Sequence, residues 1–306
     1  RDNRKLAEVT AFAEKMKKLS EVCQAENVAA FGLLKDYDNV WDTNTDVWHE
    51  RVHAYSEEQI FEISELTHTP YNVIYLEGDT TLADLSGYPV LVYPHPVIMT
   101  NERAELLKSY VEQGGTLIIG CRAGYKDGNG HCVMMPQPGL LAELTGSDVE
   151  EFTFVSKAEE EIFADWNGHP LPVPMFQDIM SVSEREQTKV LAVYQGGYYK
   201  GKAALIEKRL GKGRTLHLGS AFCRENVRML LDYTGVLEPF AETVEAPEGV
   251  EVVMRRKEGQ EFLFLLNFQN REERVLVKKE GRCLESGETV QGELWMKAFE
   301  TRILKL

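Results

Sequence analysis

The stretch that decides the fold is TNERAELLKSYVEQGGTLIIGCRAG, residues 100–124. Thr100 is a suitable N-cap for an amphipathic helix, and Gly114-Gly115 predict where that helix ends. The apolar run TLIIG that follows predicts a buried strand. A helix followed at once by a wholly apolar strand is typical of a parallel sheet covered on both faces, because neither face of such a strand meets water.

The segments before this stretch repeat the alternation of strand and helix. VAAFGLLKDYDN (28–39) predicts a buried strand followed by a polar loop. SEEQIFEISELTHT (56–69) predicts a helix that begins with Ser56 and Gln59 as a capping box. YNVIYLEG (71–78) and YPVLVYP (88–94) predict two more strands. We therefore predict a doubly wound, mostly parallel α/β sheet, whose strands would end near Asp36, Asp38, His95 and Cys121.

The pattern changes after residue 150. Residues 150–220 predict strands broken by Gly-rich turns, and AFCRENVRMLLDYTGV (221–236) predicts a closing helix. VEVVMRRKEGQEFLFLLNFQ (250–269) predicts a hairpin that turns at Lys257–Gln260. RVLVKK (274–279) and FETRILKL (299–306) predict further strands. These segments together predict a small antiparallel all-β domain.

The first twenty residues predict a helix with one apolar stripe. The stripe consists of Leu6, Val9, Phe12, Ala13, Met16 and Leu19. The segment has no initiating Met and no cap at its start, so we expect this helix to continue from an upstream part. The predicted organisation is a linker helix (1–20), an α/β domain (21–238) and an antiparallel β domain (239–306).

Composition limits the possible partners. The 306 residues carry a formal net charge of −15, and an acidic surface repels phosphate backbones and anionic lipid, so we expect no nucleic acid and no membrane partner. No apolar run approaches the roughly 20 residues that span a bilayer. The five cysteines are odd in number and scattered, which favours a reducing cytoplasm over a disulfide framework.

No motif predicts a metal or a cofactor. His131-Cys132 follows Cys121 without a zinc spacing, and GKGR (211–214) is too short for a phosphate loop and precedes a strand. The charge run KAEEE (157–161) predicts a solvated face.

Cys121 is the most suggestive catalytic candidate, because a cysteine after a buried strand can be a nucleophile. A nucleophile elbow needs glycine two positions before and two after the nucleophile, and this chain has Ile119 and Ala123 there. The candidate base, His217, lies inside a predicted strand. We therefore predict that Cys121 is a small buried residue and that the chain holds no catalytic residue.

Three other candidates have simpler interpretations. Asp36 and Asp38 flank Tyr37 and could share one strand face as a metal or acid/base pair, but a solvated loop with local turn bonds is favoured. His95 lies between two prolines and is interpreted as a residue of a rigid turn.

The order of several segments resembles a known family. The segments are DYDN (36–39) with Trp41 and Trp48, GGTLIIGCRAGYKDGNG (114–130), PGLLAELTGSDVEEF (138–152), VLAVYQGGYYKGKAALIEKRLGKGRTLHLG (190–219), PEGVEVVMRR (247–256) and FLFLLNF (262–268). Together they resemble the middle and C-terminal domains of glycoside hydrolase family 42 β-galactosidases along nearly the whole chain. One departure is Cys121-Arg122, where that family often has Ser or Phe.

The resemblance implies a catalytic (β/α)₈ barrel upstream, then a trimerisation domain of class I glutamine amidotransferase-like (flavodoxin-like) fold, then a small β domain. It also implies that the amidotransferase Cys-His-Glu machinery is lost. In the family, two barrel glutamates hydrolyse terminal non-reducing β-D-galactose residues with retention. No catalytic, cofactor or metal residue of the family therefore maps onto this chain, which we expect to be inactive alone.

Three hypotheses about function follow. The first is part of a cytoplasmic β-galactosidase that assembles a homotrimer, with Tyr37, Trp41, Trp48 and Tyr125 as expected surface contacts. The second is a stand-alone amidotransferase or amidase-like enzyme, which would need a reactive Cys121 thiolate. The third is a carbohydrate-binding or structural module, with exposed aromatics among Trp41, Trp48, Trp166 and Trp295.

Overall fold

The computed structural model describes residues 3–155, 162–182 and 187–306, so the predicted solvated face at 157–161 lies outside the described residues. The chain forms two compact units. One combines the described part of Arg1–Ala29 with Ser64–Pro70 and Glu238–Leu306. The other, the larger unit, consists of Ala30–Ile63 and the described part of Tyr71–Leu237.

Helices and strands alternate through the first half of the chain, and strands dominate the second. The helices described are α1 (Arg4–Lys18), α2 (Tyr37–Asp42), α3 (Val47–Leu66), α4 (Leu82–Ser86), α5 (Asn101–Glu112), α6 (Ala142–Thr145) and α7 (Arg224–Thr234). The strands up to α7 are β1 (Glu26–Asn27), β2 (Phe31–Lys35), β3 (Tyr71–Tyr75), β4 (Val90–Tyr93), β5 (Thr116–Ile119), β6 (Ser147–Phe154), β7 (Phe163–Trp166), β8 (His169–Pro172), β9 (Phe176–Val182), β10 (Thr188–Tyr194), β11 (Ala203–Leu210) and β12 (Gly213–Leu218). The later strands are β13 (Val244–Glu245), β14 (Val250–Lys257), β15 (Gln260–Asn267), β16 (Glu273–Cys283), β17 (Thr289–Met296) and β18 (Thr301–Lys305).

The larger unit is built on one sheet with the order β3-β2-β4-β5-β12-β11-β10-β7-β8. The first five strands are parallel, and the rest continue antiparallel. Alternate residues of β4 belong to different buried clusters, Val90 and Val92 to one and Leu91 and Tyr93 to the other. Because successive side chains of a strand point to opposite faces, both faces of the sheet are covered, as the apolar strands predict.

The smaller unit contains an antiparallel sheet with the order β1-β14-β15-β18-β16-β13, and β17 pairs with β16. The predicted hairpin is confirmed, since Lys257 pairs with Gln260. Glu258 and Gly259 between them have φ values of 51° and 81°, as in a type I′ turn. Sequence reasoning missed β17, because most of its residues are not buried and its apolar signal is weak.

Two predicted boundaries near the start of the larger unit are wrong. The polar loop after β2 is the helix α2, because the Asp36 side chain accepts a hydrogen bond from the Asn39 backbone N–H and caps it. The next helix begins at Val47, so Ser56 lies in its middle instead of capping it. Ser56 is fully buried, and its hydroxyl bonds tertiary partners.

The helix α1 carries the predicted apolar stripe on an open face. Leu6, Val9 and Phe12 are exposed, and no residue of α1 is buried. The helix is capped, contrary to expectation, because the Asn3 side chain accepts a hydrogen bond from the Leu6 N–H. Among the described residues, no helix is both long and apolar enough to cross a bilayer.

Candidate functional site

The carboxyl edge of the parallel strands holds the candidates that the sequence singled out. Asp36 directly follows β2 and is buried. Its carboxylate accepts hydrogen bonds from the Asn39 N–H and side-chain amide, both at 2.8 Å, and from the Tyr93 hydroxyl. Arg103 lies 3.2 Å from Asp36 and 2.5 Å from Asp38. The prediction of a solvated loop is therefore wrong for Asp36, and the two carboxylates share a cation instead of a strand face.

A second charged cluster joins α2 and α3 to the segment after β5. The Lys126 ammonium donates to Asp42 at 2.8 Å and to Asp46 at 2.9 Å, and Arg122 donates to Asp46 at 2.7 Å. Burial opposes ionisation of Asp46, but hydrogen bonds from Lys126 and the His49 N–H outweigh it and lower the pKa to about 2. Burial lowers the pKa of His49 to about 4, despite its 2.8 Å contact with Asp42. Lys126 binds both carboxylates, so their oxygens are already engaged within the cluster.

The turn after β5 is strained at Arg122, one position beyond Cys121. Arg122 has φ of 61°, a value uncommon for a residue with a side chain. Its guanidinium lies 5.3 Å from the Tyr125 ring centroid and 5.6 Å from that of Phe176, in addition to the Asp46 pair. The strand end therefore does form a sharp turn, but the residue at its strained position is a buried arginine.

Cys121 is fully buried, as predicted, and has a histidine neighbour that the sequence did not pair with it. Its Sγ lies 3.7 Å from Nδ1 of His95. The His95 ring is held by the Cys121 carbonyl oxygen at 3.0 Å and by the Ser56 hydroxyl at 2.7 Å. The Cys121 carbonyl oxygen can only accept, so Nδ1 of His95 carries the ring hydrogen and Nε2 accepts from the Ser56 hydroxyl. The Ser56 oxygen in turn accepts from the Phe222 N–H.

This arrangement cannot activate the thiol. Burial raises the pKa of Cys121 well above its usual value, and burial lowers the pKa of His95 well below its own. A thiolate–imidazolium pair would need the opposite shifts. His95 is thus a buried hydrogen-bonding residue at the end of β4. His217 is also buried, in β12, where its Nδ1 lies 2.9 Å from the Ser147 hydroxyl.

Asp178 was missed by sequence reasoning, because nothing in the strand β9 distinguishes it. It is fully buried and accepts hydrogen bonds from the Arg122 N–H at 2.8 Å and the Tyr125 hydroxyl at 2.7 Å. Burial raises its pKa to about 6 against those two hydrogen bonds. Tyr125 is itself only 8% exposed, so the expectation that it contributes to an assembly surface is wrong.

Other predicted aromatics do lie on the outside of the larger unit. Tyr37, Trp41 and Tyr75 form what we call the aromatic surface: Tyr37 stacks on Tyr75 with centroids 5.2 Å apart and lies 5.7 Å from Trp41. Trp41 is 63% exposed. Trp48 is partly exposed and stacks on Phe154 at 3.6 Å.

The remaining tryptophans differ from each other. Trp166 is buried in the larger unit, whereas Trp295 is exposed on β17. Among the residues that the structure describes, no three His, Cys, Asp or Glu side chains are grouped to hold a metal ion.

Comparison with known proteins identifies both parts of the chain. The family model of the β-galactosidase trimerisation domain matches residues 33–236, and that of the β-galactosidase C-terminal domain matches residues 249–306. The chain is 26% identical to β-galactosidase Pbg of Clostridium perfringens and 25% identical to β-galactosidase BglY of Alicyclobacillus acidocaldarius. Each alignment covers 99% of this chain and 45% of the relative, so the chain spans less than half the length of these relatives.

Solved structures show the same fold. Gan42B, a GH42 β-galactosidase from G. stearothermophilus, is 21% identical with a TM-score of 0.85 over 100% of this chain and 44% of its own. The β-galactosidase of Bacillus circulans sp. alkalophilus is 24% identical with a TM-score of 0.82 over 99% of this chain and 45% of its own. The chain belongs to the glycoside hydrolase family 42 β-galactosidases, of which it corresponds to the trimerisation domain and the C-terminal domain.

Proposed function

We propose that this chain is the non-catalytic, assembly-forming part of a β-galactosidase that removes terminal non-reducing β-D-galactose residues with retention. The observation that carries the proposal is the aromatic surface, which lies exposed beside carboxylates, Asp36 and Asp42, that are already ion-paired. The relatives are named β-galactosidases, which supports a galactoside substrate, and retention is what the family resemblance implies.

The paired charges favour assembly over catalysis in this chain. Retaining hydrolysis needs two carboxyl groups roughly 5–5.5 Å apart that face a sugar. Asp36, Asp42 and Asp46 are each held by a cation within 3.2 Å. A carboxylate whose oxygens already bind a cation of the same chain is poorly placed to approach a sugar. We therefore propose that the galactoside is bound by a barrel outside this chain, and that this chain alone is inactive.

The same ion pairs give the aromatic surface a rigid base. Tyr37 and Trp41 lie on α2, and this helix is anchored at its start by Asp36 and at its end by Asp42. Rigid aromatic side chains lose little entropy on binding and are common centres of protein interfaces. We propose that this surface contacts a second copy of the chain in a homotrimer, whose closed ring requires a heterologous contact between unlike patches.

The proposed organisation keeps a linker helix at 1–20, a trimerisation domain at 21–238 and a β domain at 239–306. The two family matches fall inside the last two ranges. A cytoplasmic location is proposed because all five cysteines are free and three of them are buried, which suits a reducing compartment.

The test is sedimentation velocity of the 306-residue chain from about 1 to 100 µM. We expect a species of three times the 34.8 kDa chain mass. Trp41→Ala is expected to weaken association at least about 30-fold, because central interface tryptophans commonly contribute 2 kcal/mol or more. The same preparation is expected to leave nitrophenyl β-galactoside unhydrolysed.

Trp295→Ala is the matched control, since Trp295 is 59% exposed but lies in the β domain. It should leave the trimer intact. A chain that stays monomeric at 100 µM, or equal effects of the two substitutions, would reject the aromatic surface as the contact. Hydrolysis that survives purification would reject the non-catalytic role.

A further inference from the structure

A groove lies between the β7–β8 hairpin and α7 in the larger unit. Its residues are distant in sequence from those of the aromatic surface. It has a volume of about 590 Å³ and is lined by residues from both elements, including Trp166, Asn167, His169, Met229, Asp232 and Tyr233. This volume lies in the range of small-molecule sites, roughly 300–1,000 Å³. Nothing in the assembly role uses these residues.

The apolar part of the groove is aromatic and held in place. Trp166 is buried and meets Tyr233 edge-to-face, with centroids 5.1 Å apart and planes at 66°. The Tyr233 hydroxyl donates to the buried Glu207 carboxylate at 2.8 Å. Tyr233 is 38% exposed, so a preorganised ring faces solvent next to the indole.

The polar part is fixed by a tight turn. Trp166 pairs with His169, and Asn167 and Gly168 between them have φ values of 54° and 86°, as in a type I′ hairpin. This turn holds the Asn167 amide and the His169 imidazole at the rim, and Asp232 contributes a carboxylate from α7. All three side chains are exposed and together offer hydrogen-bond donors and acceptors.

The surrounding charges exclude several classes of ligand. A cation is disfavoured, because the Arg214 guanidinium already lies 4.8 Å from the Tyr233 centroid and repels a second positive charge. An anion is disfavoured by Asp232 and by the net charge of −15. A wholly apolar ligand would strip water from the three rim groups without replacing their hydrogen bonds.

We propose that this groove binds a neutral saccharide ring. The C–H face of a pyranose packs against the solvent-exposed part of the Tyr233 ring, beside the buried Trp166. The pyranose hydroxyls donate to Asp232 and exchange hydrogen bonds with Asn167 and His169. The saccharide site goes beyond the assembly role and stands or falls independently of it.

The test labels the 306-residue chain with 5-fluorotryptophan, which gives one fluorine signal for each of the four tryptophans. Trp166→Phe assigns the Trp166 signal. Titration with lactose and with methyl β-D-galactopyranoside to about 100 mM is expected to shift that signal saturably, with a millimolar dissociation constant, as is usual for small polar ligands. The signals of Trp41, Trp48 and Trp295 should stay in place.

Three variants sharpen the result. Tyr233→Ala is expected to weaken binding at least about tenfold, and Asp232→Asn about threefold. Asp232→Asn keeps the proposal testable if the tyrosine variant does not fold. Tyr198→Ala, a 92% exposed tyrosine outside the groove, should change nothing.

Three outcomes would overturn the saccharide site. One is no saturable shift of Trp166 at 100 mM. Another is a shift with tetramethylammonium chloride or sodium phosphate but with neither saccharide. The last is unchanged saccharide affinity in both folded groove variants. Sedimentation of the same samples reports the assembly role separately.

Discussion

The turn after β5 and the helix after β2 lie at the same edge of one sheet, yet they differ in which side chains they leave exposed. At the turn, Arg122 is paired with Asp46, and the Cys121 thiol is buried beside a histidine whose ring is already bonded. On α2, the cap and the ion pairs are inside, while Tyr37 and Trp41 remain exposed.

The difference shows that position at the carboxyl edge of a sheet does not by itself make an active site. Ligands bind there in many α/β folds because strand ends present polar groups to a crevice. Here the polar groups described above bind each other, while the aromatic side chains of Tyr37 and Trp41 remain exposed. Exposed apolar surface commonly marks a site of contact with another molecule, so assembly is the proposed role.

The largest effect is expected when the charge network at the turn is broken. Arg122→Ala should lower the free energy of unfolding by about 3 kcal/mol, because it leaves Asp46 short of a cation and removes the guanidinium from two rings. Urea unfolding monitored by circular dichroism measures it. Arg209→Ala is the control, since that exposed arginine lies 3.6 Å from Glu207 and should cost less than about 0.5 kcal/mol.

Equal losses in the free energy of unfolding for the two arginine substitutions would contradict the proposed importance of the charges at the turn. The turn would then be no more dependent on its charges than the surface of β11.

An intermediate effect is expected from pH. His49 has a folded-state pKa of about 4, below its ordinary 6.5, so the unfolded chain binds a proton more readily. The part of the unfolding free energy that comes from burying neutral His49 is fully present above pH 6.5. It falls by about 3 kcal/mol in total as the pH falls towards 4. In His49→Asn, the free energy of unfolding should fall less steeply over this window, as measured by urea unfolding at several pH values.

His217, whose pKa burial also lowers to about 4, and Asp178, whose raised pKa acts in the opposite sense, are present in both proteins. Their contributions therefore cancel in the difference. Identical slopes for the two proteins would show that His49 is not desolvated as the structure places it.

The smallest effect is expected at Cys121. Iodoacetamide at neutral pH should label the exposed Cys23 and Cys132 at least about 100-fold faster than Cys121, because the buried thiol is protonated and inaccessible. Cys121→Ala should cost about 1 kcal/mol and leave association unchanged. Rapid labelling of Cys121 would support the hypothesis of an amidotransferase-like enzyme.

Local sequence signals were sufficient for much of the fold. The wholly apolar β4 and β5, the Thr100 cap of α5 and the hairpin at Lys257–Gln260 were predicted because each depends on residues close together in the chain. The missed features depend on distant partners. Ser56 resembles a cap until His95 and Phe222 occupy its hydroxyl, and Asp178 has no local pattern at all.

The sequence by itself determined the alternation of elements, the antiparallel end of the chain, the failure of the elbow pattern at Cys121 and the family. These depend on periodicity, turn residues and segment order, which are local or linear properties. Only the tertiary structure decided which polar side chains meet, that Arg122 holds the strained position, and that Tyr125 is inside while Trp41 is outside. The reason is that burial and charge pairing are set by residues far apart in the chain: 84 positions separate Lys126 from Asp42, and 166 separate Phe222 from Ser56.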